Sequence, residues 1–232
     1  MIKYIASISF GKDSLAMLLL IIEKNLPLNE VVFYDTGMEF QAIYNIRDKV
    51  VKLLQEKNIK YTELKPKNPF EWTMFEKPVN GRNGFHYGYS WCGGRCRWGT
   101  TEKLSTIDRY CENAKQYIGI AADESKRLKT AWKNKKLTPL FDYDMNEKDC
   151  LDYCRSKGFD WLEGDVNLYD ILDRVSCWCC ANKNLKELKN YKKYLPQYWE
   201  RLKELQMKTD RPFKKGKTIF DLDKKFSEVV ND

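Results

Sequence analysis

Residues 4–24 read YIASISFGKDSLAMLLLIIEK, an apolar run broken at Ser9-Phe10-Gly11-Lys12-Asp13-Ser14 and resumed at Leu15. The stretch from Ile2 to Ile8 is short and rich in Ile and Tyr, which predicts a buried strand. Leu15 to Ile22 is too long and too apolar for a turn, so with Asp13 or Ser14 at its start it predicts a buried helix. Strand, tight loop and helix in that order make an anion cradle. Gly11 lets the backbone approach a ligand, and the helix start offers N–H groups and the positive dipole end. Ser9, Ser14 and Lys12 add further donors. The loop is not the nucleotide loop G-x-x-x-x-G-K-[ST]. Ala6 stands where its first glycine is required, and Asp13 follows the lysine in place of a hydroxyl. Ser and Asp are also ordinary capping residues, so the loop alone leaves a ligand-free turn open.

Working outward, Glu30 to Tyr34 predicts a second strand, Glu39 to Lys57 a second helix and Tyr61 to Leu64 a third strand. Strands alternating with helices at this spacing predict a parallel sheet with helices on both faces, an α/β fold. Ligands in such sheets sit at the C-terminal ends of strands, here the loop Ser9 to Ser14 and the loop Asp35-Thr36-Gly37, expected to open on one crevice. Periodicity fades over residues 65–99, which hold Pro66, Pro69, Pro78, six glycines and several aromatics and read as an ordered insertion. Thr100 to Tyr110 reads as helix and Gln116 to Ala121 as strand, ending in the acidic loop Asp123-Glu124-Ser125. Asn146 is placed to cap a helix from Glu147 to Lys157. Leu185 to Tyr194 and Pro196 to Met207 read as two further helices. The expected organisation is a nucleotide-binding domain over 1–180 with a cysteine-containing insertion at 65–99, and a basic helical extension over 181–232.

The chain has 232 residues, of which 43% are hydrophobic, enough for one α/β domain and an appendage. No stretch reaches the ~18 consecutive apolar residues of a membrane-spanning helix. Met1-Ile2-Lys3 runs straight into the first strand, so a cleaved leader is not expected and the cytoplasm is the expected compartment. The net charge is +8, and from Ala181 onward 14 Lys and Arg stand against 8 Asp and Glu. Such a tail is an electrostatic footprint for nucleic acid, and equally a solvated helical face. Lys183, Lys186, Lys189, Lys192 and Lys193 supply much of it, with 186, 189 and 193 near one helical face. Tyr191, Tyr198 and Trp199, at helical spacing, are expected in the core.

Eight cysteines in a reducing compartment point to metal, cluster or catalysis before disulfides. Two clusters stand out, WCGGRCRW with Cys92 and Cys96, and RVSCWCCANK with Cys177, Cys179 and Cys180. Together they supply the thiolates of a tetrahedral sulfur site for zinc or an iron–sulfur cluster. Cys92, Cys96, Cys177 and Cys180 are the expected ligands, with Cys179 in reserve because neighbouring cysteines do not both reach one centre comfortably. Cys111, Cys150 and Cys154 read as buried small hydrophobes, and His86 as a loop packing residue.

With these residues in view, the chain resembles the phosphoadenosine phosphosulfate (PAPS) reductase family of the adenine nucleotide alpha-hydrolase-like superfamily. Three stretches carry the resemblance over residues 1–180. SFGKDS at 9–14 resembles the pyrophosphate loop S-G-G-K-D-S, FYDTGMEF at 33–40 the second-strand motif, and GIAADESKR at 119–127 the motif G-x-R-x-x-E-S-x-x-R. Phe10 stands for a glycine and Ala121 for an arginine. The resemblance implies nucleotide contacts from Ser9, Phe10, Gly11, Lys12, Asp13, Ser14, Asp35, Thr36, Gly37, Gly119, Glu124 and Arg127, with Lys12, Asp13 and Asp35 in catalytic roles. It implies ATP, or PAPS or adenylyl sulfate as substrate, with Mg²⁺, and a [4Fe-4S] cluster ahead of zinc. The reductases of the family resemble one another in a C-terminal Glu-Cys-Gly-Leu-His type tail. Here no cysteine follows Cys180 and no histidine follows His86, whereas Arg174 to Cys179 resembles the iron–sulfur sulfurtransferase branch. The expected function is an ATP-dependent sulfurtransferase on nucleic acid or a nucleotide, with a sulfur-donor protein as a further partner and no membrane. A sulfonucleotide reductase and a non-catalytic nucleotide-binding module are the alternatives.

Overall fold

The computed structural model describes residues 2–81, 84–91 and 96–228. In chain order the elements are β1 (Lys3–Ile8), α1 (Lys12–Glu23), β2 (Glu30–Tyr34), α2 (Gln41–Glu56), β3 (Lys60–Leu64), β4 (Pro78–Gly81), β5 (Gly84–Tyr87), α3 (Lys103–Tyr110), β6 (Ala114–Ile118), α4 (Ser125–Lys133), α5 (Pro139–Asp142) and α6 (Glu147–Ser156). There follow β7 (Leu162–Glu163), β8 (Val166–Asn167), α7 (Leu168–Ile171), α8 (Leu185–Tyr194), α9 (Pro196–Met207) and α10 (Ile219–Glu228). π-helical turns occupy Trp72–Glu76 and Arg97–Glu102. None of the described helices is long and apolar enough to cross a membrane.

The chain divides into two units. The first comprises residues 1–35, 41–65 and 104–161, the second residues 36–40, 66–103 and 162–232. Residues 66–103 and 162–180 thus group with the C-terminal helices, whereas the sequence reading takes the insertion at 65–99, and the chain up to 180, as one nucleotide-binding domain.

The first unit is built on a parallel sheet of order β3-β2-β1-β6, in register at Ile8↔Phe33, Tyr34↔Leu64 and Ser7↔Ile118. Helices cover both faces. On one face Ile107 of α3 and the following Cys111 pack with Ile5, Val32 and Tyr34. Phe33 points the opposite way by strand alternation. Phe10 lies against it at 4.8 Å between ring centroids, and Arg47 of α2 reaches Glu63 at 3.4 Å on that side. The chain steps outward from β1 to β3, then returns past β1 to β6, so the strand order reverses between β1 and β6. That reversal opens a ligand crevice at the strands' C-terminal ends in α/β sheets.

At the other end of this sheet Glu30 is fully buried, and its carboxylate is held by Lys3 at 2.5 Å, Lys60 at 3.1 Å and the hydroxyls of Thr62 and Tyr110. Burial raises the Glu30 pKa, but these four partners outweigh it and bring it down to about 2.

In the second unit β4 and β5 form an antiparallel ribbon and β7 and β8 a second short one. Helix α8 carries a full capping box from Asn184 and Glu187. Tyr191, Tyr198 and Trp199 are buried as expected, with Phe40 edge-on to Tyr198 at 4.9 Å. His86 lies exposed on β5, opposite Val79, and not in a packed loop.

Candidate functional site

The loop after β1 ends at the sheet's reversal point. Helix α1 begins at Lys12, with Gly11 at its N-cap and no side-chain cap bond, so Asp13 and Ser14 lie in the first turn and do not cap it. Ser14 Oγ instead ties the loop together: it donates to Gly11 O at 3.0 Å, accepts from Ser9 N at 3.1 Å and meets Ser9 Oγ at 3.1 Å. Phe10 occupies the family glycine's position at φ +57°, in the left-handed region. Its ring is driven inward onto Phe33 and Tyr61, and its carbonyl accepts from Trp161 Nε1 at 2.7 Å. The residue is fully buried, so the phenyl group does not cover the loop's outer side.

Opposite this loop, Gly119 directly follows β6. A Cβ there would stand 2.6 Å from Ser14 Cα, 2.7 Å from Ser14 N and 2.8 Å from Asp13 O. Only glycine fits so close a backbone approach. Lys12 Nζ donates to Asp13 Oδ1 at 2.7 Å and to Glu147 Oε2 at 2.8 Å. Burial lowers the ammonium's pKa, yet the two carboxylates outweigh it and leave Lys12 above its ordinary value. The Asp13 carboxyl's pKa is raised as well, by burial, despite the bond from Lys12. Asp35, at the end of β2, accepts from Tyr44 Oη at 2.8 Å, and its N–H donates to Leu64 O at 2.8 Å. Glu124 and Arg127 bond each other across one helical turn, and Glu124 also accepts from Ala121 N at 3.3 Å.

Thr36 and Gly37 belong to the second unit, with the cysteines of the two clusters. Gly37 takes φ +71°. Thr36 Oγ1 donates to Glu39 Oε1 at 2.9 Å, accepts from Met38 N at 3.2 Å and lies 3.7 Å from Cys177 Sγ. Trp178 N donates to Met38 O at 2.9 Å, seating the Cys177–Cys180 loop on this turn.

Cys92 lies outside the described residues, and among those described no three His, Cys, Asp or Glu side chains form a metal-binding group. The expected sulfur donors do approach one another. Gly99 N donates to Cys96 Sγ at 3.2 Å, and a Cβ on Gly99 would stand 3.7 Å from Cys96 Sγ and 3.9 Å from Cys177 Sγ. Cys177, Cys180 and Cys96 stand close enough to Cys179 to add, after burial, to the rise of its thiol's pKa. Burial raises the pKa of the Cys177 and Cys179 thiols well above the ordinary range. They stay neutral unless a cation joins them, and a bound metal is such a cation. All-sulfur donors with a backbone N–H directed at one of them fit zinc or an iron–sulfur centre. Cys111, Cys150 and Cys154 are buried, as expected of small hydrophobes, and the Cys150 pKa is raised to about 12 by burial.

Glu147, Glu39 and Trp161 were missed by sequence reasoning. Glu147 lies 135 positions from Lys12, and no local pattern links the two.

The strand-order reversal, with a helix N-terminus and a close glycine contact beside it, is the place where α/β domains take their ligands. Residues 3–156 match the phosphoadenosine phosphosulfate reductase domain, and the chain belongs to that family. The uncharacterized protein MJ0066 of Methanocaldococcus jannaschii is 26% identical over 211 residues, 83% of this chain and 39% of the relative. MJ0973 of the same organism is 29% identical over 167 residues, 72% of this chain and 32% of the relative. The chain therefore spans about a third to two fifths of the relatives it matches. Among solved structures, the U34-tRNA thiolase NcsA from Methanococcus maripaludis with its [4Fe-4S] cluster aligns over 99% of this chain and 72% of its own, at 13% identity and a TM-score of 0.47.

Proposed function

We propose that the chain is an ATP-dependent sulfurtransferase acting on nucleic acid or a nucleotide, with a cysteine-held metal centre, a [4Fe-4S] cluster ahead of zinc. The carrying observation is the backbone contact of Gly119 with Ser14, which narrows the reversal point to a cradle of first-turn N–H groups, the Ser9 and Ser14 hydroxyls and Lys12. In this reading those donors hold the nucleotide phosphates. Lys12 exchanges a carboxylate partner for a phosphate and offsets the charge that develops on the leaving pyrophosphate. Asp13 and Glu147, hard oxygen donors beside Lys12, are the groups that would hold Mg²⁺, which supplies further charge neutralisation on the phosphates. Asp35, Glu124 and Arg127 complete the nucleotide's surroundings.

The buried Cys179 and the half-buried Cys177 favour this reading over a sulfonucleotide reductase that would use either of them. A reductase using one of these cysteines as nucleophile needs an accessible thiolate, whereas burial keeps both thiols protonated. Cys92, Cys96, Cys177 and Cys180 would hold the centre, which would supply redox-active, sulfur-compatible iron.

The test is to purify the protein without oxygen and incubate it with ATP, Mg²⁺, sulfide and either tRNA or DNA, and separately with PAPS and a thiol reductant. Pyrophosphate release that requires the nucleic acid or a nucleotide acceptor is the expected result. Sulfite from PAPS with no acceptor-dependent pyrophosphate would replace the proposal by the reductase.

A further inference from the structure

Beyond α9 the chain turns back on itself, and the turn is built to order. Gln206, buried at the end of α9, donates through Nε2 to Thr209 O at 2.8 Å and to Arg211 O at 3.0 Å. Its Oε1 accepts from Trp91 Nε1 at 3.2 Å and Ile219 N at 3.3 Å. The segment so held touches both cysteine-bearing loops of the second unit. On one side Phe213 packs edge-on against Trp91 at 4.7 Å, Thr209 Oγ1 meets Ser90 Oγ at 3.0 Å, and Arg211 donates to Tyr89 O at 3.1 Å. Trp91 and Phe213 are both buried, and Trp91 immediately precedes Cys92 in the chain. On the other side the next residue, Lys214, sends its ammonium to the carbonyls of Ala181 and Lys183, directly after Cys180. Main-chain bonds between Lys214 and Lys217, at 2.9 and 3.0 Å, fix the turn that carries it.

Two adjacent side chains thus grip the two loops from one rigid turn. A basic tail recruited only for a polyanion would direct its lysines outward; Lys214 is directed inward, onto backbone carbonyls.

We propose that Thr209–Lys214 is a clamp that fixes the spacing of the two cysteine-bearing loops for the metal centre, with Phe213 and Lys214 as its positioning residues. The inference rests on the metal-centre part of the function proposed above. It places the C-terminal segment in the housing of that centre, in the outer shell whose loss costs metal affinity without touching a ligand.

The experiment uses the full chain, reconstituted anaerobically with ferrous iron and sulfide, and in a second arm with Zn²⁺. Metal per chain and its release rate to a chelator are measured for wild type, Phe213→Ala, Lys214→Met and Lys214→Arg. Circular dichroism melts and ATP affinity report the fold and the first unit. The expected result is release about tenfold faster or more in Phe213→Ala and Lys214→Met, with unchanged ATP affinity and Lys214→Arg near wild type. Wild-type release rates in both variants would overturn the clamp while leaving the metal centre standing. A wild type that takes up neither metal would overturn the metal centre, and the clamp with it. Should Phe213→Ala fail to fold, Lys214→Met decides alone.

Discussion

Replacing Gly119 by alanine tests the cradle directly. The added Cβ would stand 2.6 to 2.8 Å from backbone atoms of Ser14 and Asp13, whereas carbon contacts are comfortable at about 3.5–4.0 Å. Roughly 1 Å of retreat is needed, and neither side yields as a flexible side chain would. Strand β6 is fixed by its register with β1, and the first turn of α1 by the Leu15 N to Gly11 O bond at 3.0 Å. Overpacking of this kind costs about 1–3 kcal/mol, a fall of about 2–12 °C in Tm for a chain of this size. The displacement also moves the N–H groups and the Ser14 hydroxyl that are to hold phosphate. Weakening one such charge-assisted bond, worth about 1.5–3 kcal/mol, lowers nucleotide affinity about 10- to 100-fold. Melting followed by circular dichroism and calorimetric titration with MgATP at 20 °C, well below the transition, separate the two effects. A variant that melts early but binds ATP as tightly as wild type would refute the cradle and leave only a packing constraint.

Two further outcomes follow from charge. Because the Glu30 pKa is held near 2 against an ordinary value of 4.5, its stabilisation is complete above about pH 5 and is lost as pH falls towards 2, to the extent of about 3 kcal/mol. Glu30→Gln is expected to melt earlier at pH 7 and to show a flatter fall in Tm between pH 5 and pH 3; parallel acid profiles would show that Glu30 is not the titrating group. On α8, Lys186, Lys189 and Lys193 are exposed, whereas Lys183 is buried against Phe40 and Tyr191, and Lys192 pairs with Asp223 at 3.0 Å. Changing the exposed three to glutamine is expected to reduce the salt dependence of nucleic-acid binding, by about one unit of log–log slope for each phosphate that a lysine no longer neutralises, measured by fluorescence anisotropy. Equal slopes would remove this face as the nucleic-acid surface.

What the sequence disclosed was whatever its signals decide locally. Helices α8 and α9 begin and end where the sequence predicts, because a capping box and Pro196 fix their starts. Asn146 caps α6 through the same exchange, with Asp149. Helix α10 was missed although Thr218 and Asp221 bond each other's main chain in the same way, at 3.2 and 2.8 Å. Over residues 66–103 periodicity gives no guidance, since π-helical turns and a two-stranded ribbon replace regular helix there. Phe10 could not be interpreted from its position in a glycine motif alone. Its tolerance depends on Phe33 and Tyr61 to receive the ring and on Trp161 to hold the carbonyl, partners set by the sheet and by a residue 151 positions away.

The same long-range contacts change how the loop must work. Lys12 reads in the sequence as a donor for an anion, yet it lies buried between two carboxylates. With both ionised, this group of three carries one net negative charge and repels a nucleotide's phosphates. In the proposed function, attraction would therefore come from the backbone N–H groups and the helix dipole, whose direction the β1–α1 turn fixes in advance. Burial raises the pKa of the Asp13 carboxyl and so eases its neutralisation. Glu147, whose side chain is 48% exposed, is the one free to turn away or take up a divalent cation. Under the proposed function, such a cradle would discriminate against free anions and favour those that arrive with a cation, as a magnesium-bound nucleoside triphosphate does.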